Sequence, residues 1–406
     1  MPALEAYILG QRAGFSSKGG QMKRTIIMLT AVGLFVLAQA AQAQWTTAKR
    51  ITWTSGDSSN PVAAVDSGDA IHVVWSDVTP GNGEIYYKRS EDGGVTWSAV
   101  QRLSWMILNS VNPAIAIDSE DVVHVAWQDD TWGNNELYYR RSTNGGANWE
   151  ATKRLTWTAG QSVCPALALT SDDAVHIVWS CYKPILGSYE IFYRGSTDAG
   201  LSWSPAKRLT WTAGGSHFPA AAAGSGNTIQ VVWYDETPGN DEIYYKKSTD
   251  GGTTWSASKR LTWNSGDSNY PSIGIGSSGA LHVAWSDNTP GSTELYYKNS
   301  ADGGTTWNPA KRLTWTSEWC FSSAIALDSA DTIHLVWRRD YAHDEADIYY
   351  KSSMNGGVTW SLAEDLTGNN GRSYHPAVAI DSSDVLHVVW HDEIPGNFEI
   401  YYRKRN

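Results

Sequence analysis

Nine side chains of this 406-residue chain are of types that together could bind a carboxylated, ring-shaped ligand. A guanidinium can hold a carboxylate through two parallel hydrogen bonds, and an indole or phenol offers an apolar face for a sugar ring. All but one of them lie between residues 319 and 375. The alternative interpretation is neutral divergence of exposed loops. The nine candidates are Trp132, Trp319, Arg338, Arg339, Tyr341, His343, Arg372, Tyr374 and His375.

These residues stand out because the rest of the chain repeats itself. An apolar segment carrying a tryptophan recurs seven times at intervals of 52 to 54 residues, and a repeat of this length with short alternating segments is typical of a four-stranded propeller blade. In the first unit the pattern predicts strands at residues 61–66, 71–77, 84–90 and 97–105. The seven tryptophans are Trp75, Trp127, Trp179, Trp233, Trp285, Trp337 and Trp390.

A second repeated segment, Ser-x-Asp/Asn-x-Gly-x-x-Trp, occurs six times and is typical of a tight loop. The Asp or Asn can bond backbone amides two residues further on, the glycine permits a positive φ, and the tryptophan can bury its ring against a strand. Six copies indicate a structural role, because one substrate does not need six active sites. Its residues are Ser90, Asp92, Gly94, Trp97, Ser142, Asn144, Gly146, Trp149, Ser196, Asp198, Gly200, Trp203, Ser248, Asp250, Gly252, Trp255, Ser300, Asp302, Gly304, Trp307, Ser353, Asn355, Gly357 and Trp360.

This segment resembles the Asp-box, or BNR repeat, of the sialidase-like β-propellers, and the resemblance covers the chain after its N-terminal segment. In that family the Asp-box joins the third and fourth strands of a blade. The resemblance also implies that the loops entering the first strand and leaving the second strand share one face, which holds the active site. We expect residues just before the first strand to vary there and to line the mouth of the central channel, namely Asn60, Asn112, Phe218, Tyr270 and His375.

Counting the repeats predicts how the ring closes. Seven units supply the first three strands, but only six Asp-boxes follow them. The missing outer strand is matched by residues 45–53, which resemble residues 97–105. We therefore predict an all-β fold: a seven-bladed propeller of four-stranded antiparallel blades, residues 44–406, whose last blade is closed by the N-terminal strand, which also protects both sheet edges.

Three sets of repeated polar residues are expected to be structural, since a group needed once for chemistry would not be copied in every unit. For the acids, repeated ligand or calcium contacts remain the alternative. The sets are the arginines 50, 102, 154, 208, 260 and 312; the histidines 72, 124, 176, 282, 334 and 387; and the acids that open the third strand, at 84, 136, 190, 242, 294, 347 and 399.

Residues 1–43 have the features of an export signal. Lys23 and Arg24 precede an apolar run, and Ala41-Gln42-Ala43 has the small-x-small form of a cleavage site. We expect a mature protein that is secreted or periplasmic, without membrane insertion after signal cleavage.

The composition of the chain bears on its partners. Trp (22) and Tyr (20) are abundant. The net charge of −11 argues against a nucleic-acid partner.

The three cysteines lead to a further expectation. Cys164 and Cys181 fall in one unit, in strands predicted to pair, so an exported protein could join them by a disulfide. Cys320 would remain as a buried thiol. No His/Cys cluster has the spacing of a zinc site, and the sequence indicates no metal or cofactor.

Three functions fit these features. The first is a secreted, non-catalytic Asp-box propeller, expected to be monomeric, that recognises carbohydrate or a cell-surface glycoprotein through its loop face. The second is a sialidase-like exo-glycosidase. Sialidases carry a Phe/Tyr-Arg-Ile-Pro motif near their start, and this chain has none, so no catalytic residue can be assigned from the resemblance. The third is a multivalent interaction scaffold with one weak site per blade.

Overall fold

The computed structural model describes residues 44–341, 345–369 and 371–406. Its regular secondary structure within these ranges consists of β-strands. The expected signal segment, residues 1–43, and the candidate His343 lie outside the described residues. No helix in the described ranges is long and apolar enough to cross a membrane.

The described strands form seven antiparallel sheets of four strands each, which we number as blades 1 to 7. In chain order the strands are β1 (Lys49–Arg50), β2 (Ser58–Val65), β3 (Ile71–Asp77), β4 (Glu84–Ser90), β5 (Gln101–Arg102), β6 (Ser110–Ile117), β7 (Val123–Asp129), β8 (Glu136–Ser142), β9 (Lys153–Arg154), β10 (Ser162–Leu169), β11 (Val175–Lys183), β12 (Ser188–Ser196), β13 (Lys207–Arg208), β14 (Ser216–Gly224), β15 (Thr228–Asp235), β16 (Glu242–Ser248), β17 (Lys259–Arg260), β18 (Ser268–Ile275), β19 (Leu281–Asp287), β20 (Glu294–Ser300), β21 (Lys311–Arg312), β22 (Trp319–Leu327), β23 (Ile333–Asp340), β24 (Ala346–Ser353), β25 (Glu364–Asp365), β26 (Ser373–Ile380), β27 (Leu386–Asp392) and β28 (Glu399–Arg405).

Blade 7 draws on both ends of the described chain, with the strand order β26-β27-β28-β1. Lys49 pairs with Tyr402 and Arg50 with Tyr401, and Trp45 forms a bridge to Arg405. The other six blades each use four consecutive strands, from β2-β3-β4-β5 in blade 1 to β22-β23-β24-β25 in blade 6. The predicted seven-bladed propeller, closed by its N-terminal strand, is therefore confirmed.

The predicted second and third strands of blade 1 have the observed bounds, but the bounds of the first and fourth strands differ from the prediction. The first strand begins three residues earlier than predicted, because Ser58 pairs with Asp77. The outermost strand is only Gln101–Arg102 rather than residues 97–105. Its segment is held to β4 at separated points, such as Ser98 N to Arg89 O at 2.8 Å and Leu103 N to Ile85 O at 2.7 Å, instead of by a continuous ladder.

The hydrophobic core lies between blades rather than within one blade. The second-strand tryptophan is at most 1 % exposed in every blade. Trp75 of blade 1, for example, packs in one cluster with Val389, Ile400 and Tyr402 of blade 7. The β-branched and aromatic residues of the middle strands therefore join neighbouring sheets, and their burial stabilises the ring.

The Asp-box loops have the predicted structural role with one difference in geometry. Asp92 Oδ1 accepts the backbone N–H of Thr96 at 2.7 Å, four residues on rather than the expected two. Ser90 Oγ accepts the N–H of Gly94 at 2.9 Å. Hydrogen bonds from the Thr96 side chain and backbone lower the pKa of Asp92 to about 2. The six glycines equivalent to Gly94 have φ between 81° and 84°.

Each Asp-box also holds its blade to the preceding one. The Trp149 ring of blade 2 lies edge-on to the Tyr87 ring of blade 1, with centroids 5.0 Å apart. The Tyr87 hydroxyl donates to the Gly145 carbonyl at 3.2 Å and lies 2.8 Å from Nδ1 of His72. The repeated histidine is therefore a structural partner of this tyrosine.

The same edge-on contact occurs at all seven blade junctions, with centroids 5.0 to 5.3 Å apart, and Trp45 replaces the Asp-box tryptophan between blades 6 and 7. The pairs are Trp45–Tyr350, Tyr87–Trp149, Trp97–Tyr402, Tyr139–Trp203, Tyr193–Trp255, Tyr245–Trp307 and Tyr297–Trp360.

The repeated arginines and third-strand acids pair with each other in six blades. Arg102 Nη2 lies 2.6 Å from Oε1 of Glu84, whose side chain is fully buried. The same carboxylate accepts the backbone N–H of Met106 at 2.9 Å. It therefore fixes the loop after the outer strand, which agrees with the structural interpretation of both sets.

We predict that Gly252→Ala will destabilise the protein more than Gly251→Ala, its neighbour in the same loop. Both glycines have positive φ, 83° and 64°, which costs a substituted residue about 1–2 kcal/mol. A methyl group at Gly252 would also overlap the phenol of Tyr193, whereas nothing lies within 4 Å at Gly251. Overpacking of this kind costs about 1–3 kcal/mol more. Equal thermal unfolding midpoints for the two variants would contradict this account of the blade junction.

We also predict that stability falls as the pH drops from about 6.5 toward 4. Burial lowers the pKa of His176 and of His282 to about 4, whereas an unfolded histidine titrates near 6.5. The unfolded chain therefore binds more protons in this window, and stability present above it is lost within it.

His282→Gln provides a matched control for this pH dependence, because blade 4 has Gln230 at the same position, bonded to Tyr245. His282 itself bonds Tyr297 at 2.6 Å, and Asp331 is the charged group that opposes its pKa shift. The variant should show a shallower loss of unfolding midpoint between pH 6.5 and 4. An unchanged slope would exclude His282 as a contributor.

Candidate functional site

Every innermost strand carries the same irregularity near its start. A β-bulge interrupts its pairing with the second strand, for example between Ser59 and Val62 in blade 1. One residue in each bulge has φ between 46° and 54°. These seven residues surround a cavity of about 380 Å³ at one mouth of the central channel. They are Asn60, Asn112, Cys164, Phe218, Tyr270, Ser322 and His375.

The backbone of this mouth is regular, but its side chains are not. Phe218 and Tyr270 form an aromatic wall on blades 4 and 5, with centroids 5.0 Å apart in an edge-on arrangement. Phe218 also stacks on Tyr234 at 5.9 Å. Phe218 and Tyr270 are 40 % and 37 % exposed, so part of each ring faces the solvent in the mouth.

Asp241 lies close to this aromatic wall. Its carboxyl group is partly buried and has other acidic side chains nearby. Burial raises its pKa to about 6, reinforced by the negative charges of Asp267, Glu236 and Asp235. Asn269 donates to Asp241 Oδ2 at 3.4 Å, which opposes the shift. The group can therefore hold a proton close to neutral pH, as a general acid would.

The neighbouring wall, on blades 6 and 7, is cationic and aromatic. The Arg338 guanidinium lies over the rings of Phe321 and Tyr374, at 5.1 and 4.6 Å from their centroids. Its Nη2 donates to Asp340 Oδ2 at 2.9 Å. Next to it, the rings of His375 and His391 stack 5.2 Å apart.

Both of these histidines favour the neutral form. Desolvation, and then the charges of His375 and Arg338, lower the pKa of the buried His391 well below its usual value. The His375 ring is exposed at the mouth, but desolvation by the surrounding residues, and then the charge of Arg338, also lower its pKa. The exposed His375 imidazole can donate and accept hydrogen bonds to a polar ligand. The buried His391 instead accepts the backbone N–H of Asn60 at Nδ1, at 3.1 Å.

On blades 1 and 2 the mouth is lined by amides. Asn60 Nδ2 donates to Asn112 Oδ1 at 2.8 Å, and Asn112 Nδ2 donates to Gln128 Oε1 at 3.2 Å. The same Gln128 oxygen accepts the backbone N–H of Cys164 at 2.9 Å. The mouth therefore combines aromatic faces with hydrogen-bonding groups, an arrangement common in sites for polar organic ligands.

The sequence matches the BNR repeat-like domain over residues 27–283, more than half of the chain. The protein belongs to the BNR repeat-like family. No curated protein matches this BNR propeller by sequence.

Solved structures resemble the fold of this BNR propeller at low sequence identity. An ulvan lyase of a polysaccharide lyase family aligns with a TM-score of 0.59 and 12 % identity over 87 % of this chain and 95 % of its own. A protein of unknown function from Dyadobacter fermentans gives 0.57 and 14 % over 90 % and 99 %. A Hadza microbial sialidase gives 0.52 and 14 % over 80 % and 73 %. Identities this low establish a similar fold only.

The eight proposed residues that the structure describes do not form one pocket in this BNR propeller. Arg338, Tyr374 and His375 meet at the channel mouth, as described above. Arg339 points to the other face of β23, because successive side chains of a strand alternate. It pairs there with Glu318 at 2.5 Å.

The remaining candidates lie elsewhere in the BNR propeller. The hydroxyl groups of Tyr341 and Tyr349 are 2.6 Å apart on the Arg339 side of the sheet. Arg372 Nε lies 3.3 Å from Glu393 Oε2. Trp319, at the start of β22, is 44 % exposed, and Trp132, in the loop of blade 2, is 66 % exposed.

Several residues that pack against the mouth were not predicted from the sequence, because they lie at two positions of the repeat that were not among the candidate site positions. The position after the second-strand tryptophan differs from blade to blade. It contributes Gln128, Tyr234 and His391 in addition to Arg338, which was already a candidate, whereas the other three blades have serine there. The position before the third-strand acid contributes Asp241. Aligning the seven units at these two columns would have found them.

The expected disulfide is absent, and Cys164 and Cys181 are both free thiols. The bulge between Val163 and Ala166 moves Cys164 out of the ladder, so that Cys181 pairs with Ser162 instead. Cys164 lines the channel mouth, and burial raises the pKa of its thiol to about 12. Cys320 is a fully buried free thiol, as expected.

We predict that Asp241→Asn will raise the thermal unfolding midpoint at pH 7.5, and by less at pH 5. The folded-state pKa of Asp241 is raised, so its ionisation above pH 6 opposes folding. Asparagine keeps an acceptor for Asn269 and has no charge. A lower midpoint for the variant at pH 7.5 would show that the ionised carboxylate stabilises the mouth.

Proposed function

We propose that this protein is a secreted, non-catalytic glycan-binding propeller that holds a sugar in the channel mouth on its loop face. The observation that carries the proposal is the pairing of the exposed Phe218 and Tyr270 rings with the hydrogen-bonding groups of Asn60 and Asn112 in one cavity. A pyranose has an apolar face of C–H groups and a rim of hydroxyl groups. It can stack on the rings and bond to the amides.

The asymmetry of the mouth supports a single site for one ligand. The scaffold repeats its bulge seven times, yet the side chains at the bulge include two amides, two aromatic rings and an imidazole. Glycan-acting proteins with related folds, the sialidase and the ulvan lyase, are consistent with a carbohydrate ligand. The proposed export signal in residues 1–43 would place the propeller where extracellular glycans occur.

We expect no catalysis because the arginine at the mouth, Arg338, is already paired with an acid. Recognition of a sialic acid by a sialidase relies on guanidinium groups that grip its carboxylate. Arg338 is already paired with Asp340 and covered by Phe321 and Tyr374. We therefore expect binding without hydrolysis, and no cofactor is needed for it.

A sialidase-like exo-glycosidase is the second candidate, and Asp241 is the observation that favours it. A carboxyl group with a pKa of about 6 can donate a proton to a glycosidic oxygen near neutral pH. Tyr234, whose pKa is raised by burial and then by the charge of Asp241, lies close to this acid. Turnover of an aryl glycoside that is lost in Asp241→Asn would establish this function instead.

The test of the proposed function is glycan-array binding by the mature chain and by Phe218→Asn and Tyr270→Asn. Asparagine occupies the same position in blades 1 and 2 with the same positive φ, so both variants should fold. Loss of one aromatic face, about 1.4 kcal/mol, should weaken binding about tenfold.

Val95→Ala serves as the control for these two variants, because Val95 is exposed in an Asp-box loop away from the mouth. It should bind like the parent protein. Array binding that Phe218→Asn and Tyr270→Asn leave unchanged would place the ligand outside the channel mouth and overturn the proposal.

A further inference from the structure

Six tryptophans at the end of the outermost strands are exposed although they occupy a repeated position. They are between 62 % and 70 % exposed, while the second-strand tryptophans of the same blades are buried. Each follows the Arg-Leu/Ile-Thr/Ser segment of its blade. They are Trp53, Trp105, Trp157, Trp211, Trp263 and Trp315.

Each of these indoles lies in a groove between two blades, which we call a rim groove. In the groove between blades 4 and 5, Arg260 of blade 4 lies 5.8 Å from the centroid of Trp263. Lys298 of blade 5 lies 5.3 Å from the same ring, and its Nζ donates to the Leu261 carbonyl at 2.7 Å. The indole therefore rests on two cations from different blades.

The charges of a rim groove do not cancel. Arg260 is neutralised by Glu242, at 2.8 Å, whereas Lys298 is bonded to a carbonyl. One positive charge per groove is therefore left over, in a protein whose net charge is −11. The same combination of arginine, buried glutamate and a cation on the next blade recurs in all six rim grooves. The six next-blade cations are Lys88, Arg140, Arg194, Lys246, Lys298 and Lys351.

The rim arginine also keeps a donor available. Arg260 Nε donates to the Thr262 carbonyl at 2.6 Å and Nη2 to Glu242 at 2.8 Å. Its Nη1 makes no hydrogen bond within the described residues. The side chain is 26 % exposed. This donor is close to the indole, because the guanidinium carbon lies 5.8 Å from the centroid of Trp263.

The seventh junction keeps the next-blade cation but lacks the tryptophan and the arginine of the rim grooves. Between blades 6 and 7, Gly368 replaces the tryptophan and Asp365 replaces the arginine. The third-strand acid there is Asp347, and the next-blade cation, Arg403, bonds the Leu366 carbonyl. The balance of these groups is negative, and no tryptophan occupies the position equivalent to Trp263 there. The chain therefore contains its own comparison for the six rim grooves.

We propose that the six rim grooves are repeated binding sites for a uronic-acid polysaccharide. The exposed indole stacks on the pyranose ring, and the unused N–H of the adjacent guanidinium donates to its carboxylate. The next-blade cation, such as the buried Lys298, adds long-range attraction for that carboxylate without contacting it. A polymer offers the same ring many times, so it can occupy several grooves of one propeller and gain avidity. This inference does not depend on the proposed site at the channel mouth.

The test is titration of the mature protein with a galacturonic acid tetramer, followed by calorimetry and tryptophan fluorescence. The tetramer should bind to about six sites per chain, and polygalacturonate should bind at least about tenfold more tightly than the tetramer because of multivalency. Added salt should weaken both interactions.

A triple variant, Trp53→Ala with Trp157→Ala and Trp263→Ala, removes alternate rim grooves. It should reduce the stoichiometry to about three sites, whereas Trp132→Ala, an equally exposed tryptophan outside the grooves, should leave it unchanged. An unchanged thermal midpoint of the triple variant would show that these exposed indoles are not needed for folding. Should that midpoint fall, the single variant Trp263→Ala, with about five sites expected, would carry the same test.

Several outcomes would overturn the inference: no binding of the tetramer, one site per chain, or unchanged stoichiometry in the triple variant and in Trp263→Ala. Equal binding of a neutral galactose tetramer would overturn the role of the carboxylate. Phe218→Asn should leave the number of rim sites unchanged. Failure of the rim grooves and failure of the channel-mouth site can therefore be told apart.

Discussion

The whole ring depends on one contact, in which an Asp-box packs against a tyrosine of the preceding blade. The Tyr193 hydroxyl donates to the Gly251 carbonyl at 3.0 Å, and its ring meets Trp255 edge-on at 5.1 Å. Gly252 must lack a side chain for the two blades to approach. The edge-on contact between a tryptophan and a tyrosine occurs at every junction, with Trp45 in place of the Asp-box tryptophan between blades 6 and 7. Each blade is therefore positioned locally against its neighbour.

This dependence explains why so much of the fold could be predicted from sequence. The tryptophan spacing and the Asp-box copies reflect contacts made identically in each blade, so counting them gave seven blades. The resemblance of residues 45–53 to residues 97–105 likewise predicted the pairing of Lys49 with Tyr402. Local ladder lengths were less predictable, since the outer segment bonds β4 only at separated points.

The candidate site was predicted less well, for reasons of geometry. Grouping Arg338 with Arg339 ignored the alternation of side chains along a strand, which sends Arg339 to Glu318. The proposed disulfide ignored the bulge that shifts Cys164 out of register. The bulge is also what turns Phe218 and Tyr270 toward the channel. None of these three effects is visible in spacing alone, because each depends on a positive φ or on the direction of a side chain.

The molecule thus separates two kinds of surface. At the channel mouth a uniform backbone carries seven different environments, which suits one ligand held in one orientation. At the rim the side chains are nearly identical, as shown by Trp211 and Trp263 with their paired cations. Divergence and repetition within one chain therefore give dissimilar side chains at the axis and similar side chains at the periphery, as the two proposed kinds of site require.

The closure of blade 7 by β1 has a consequence for how the molecule reaches its native state. Arg50 bonds Glu399, and Trp45 Nε1 bonds Glu364 Oε2, so these contacts join segments more than 300 residues apart. Bringing such distant segments together carries a large entropic cost and slows folding. A nascent chain can assemble its first six sheets as they emerge, but its first strand must wait without a partner until the final strand is synthesised.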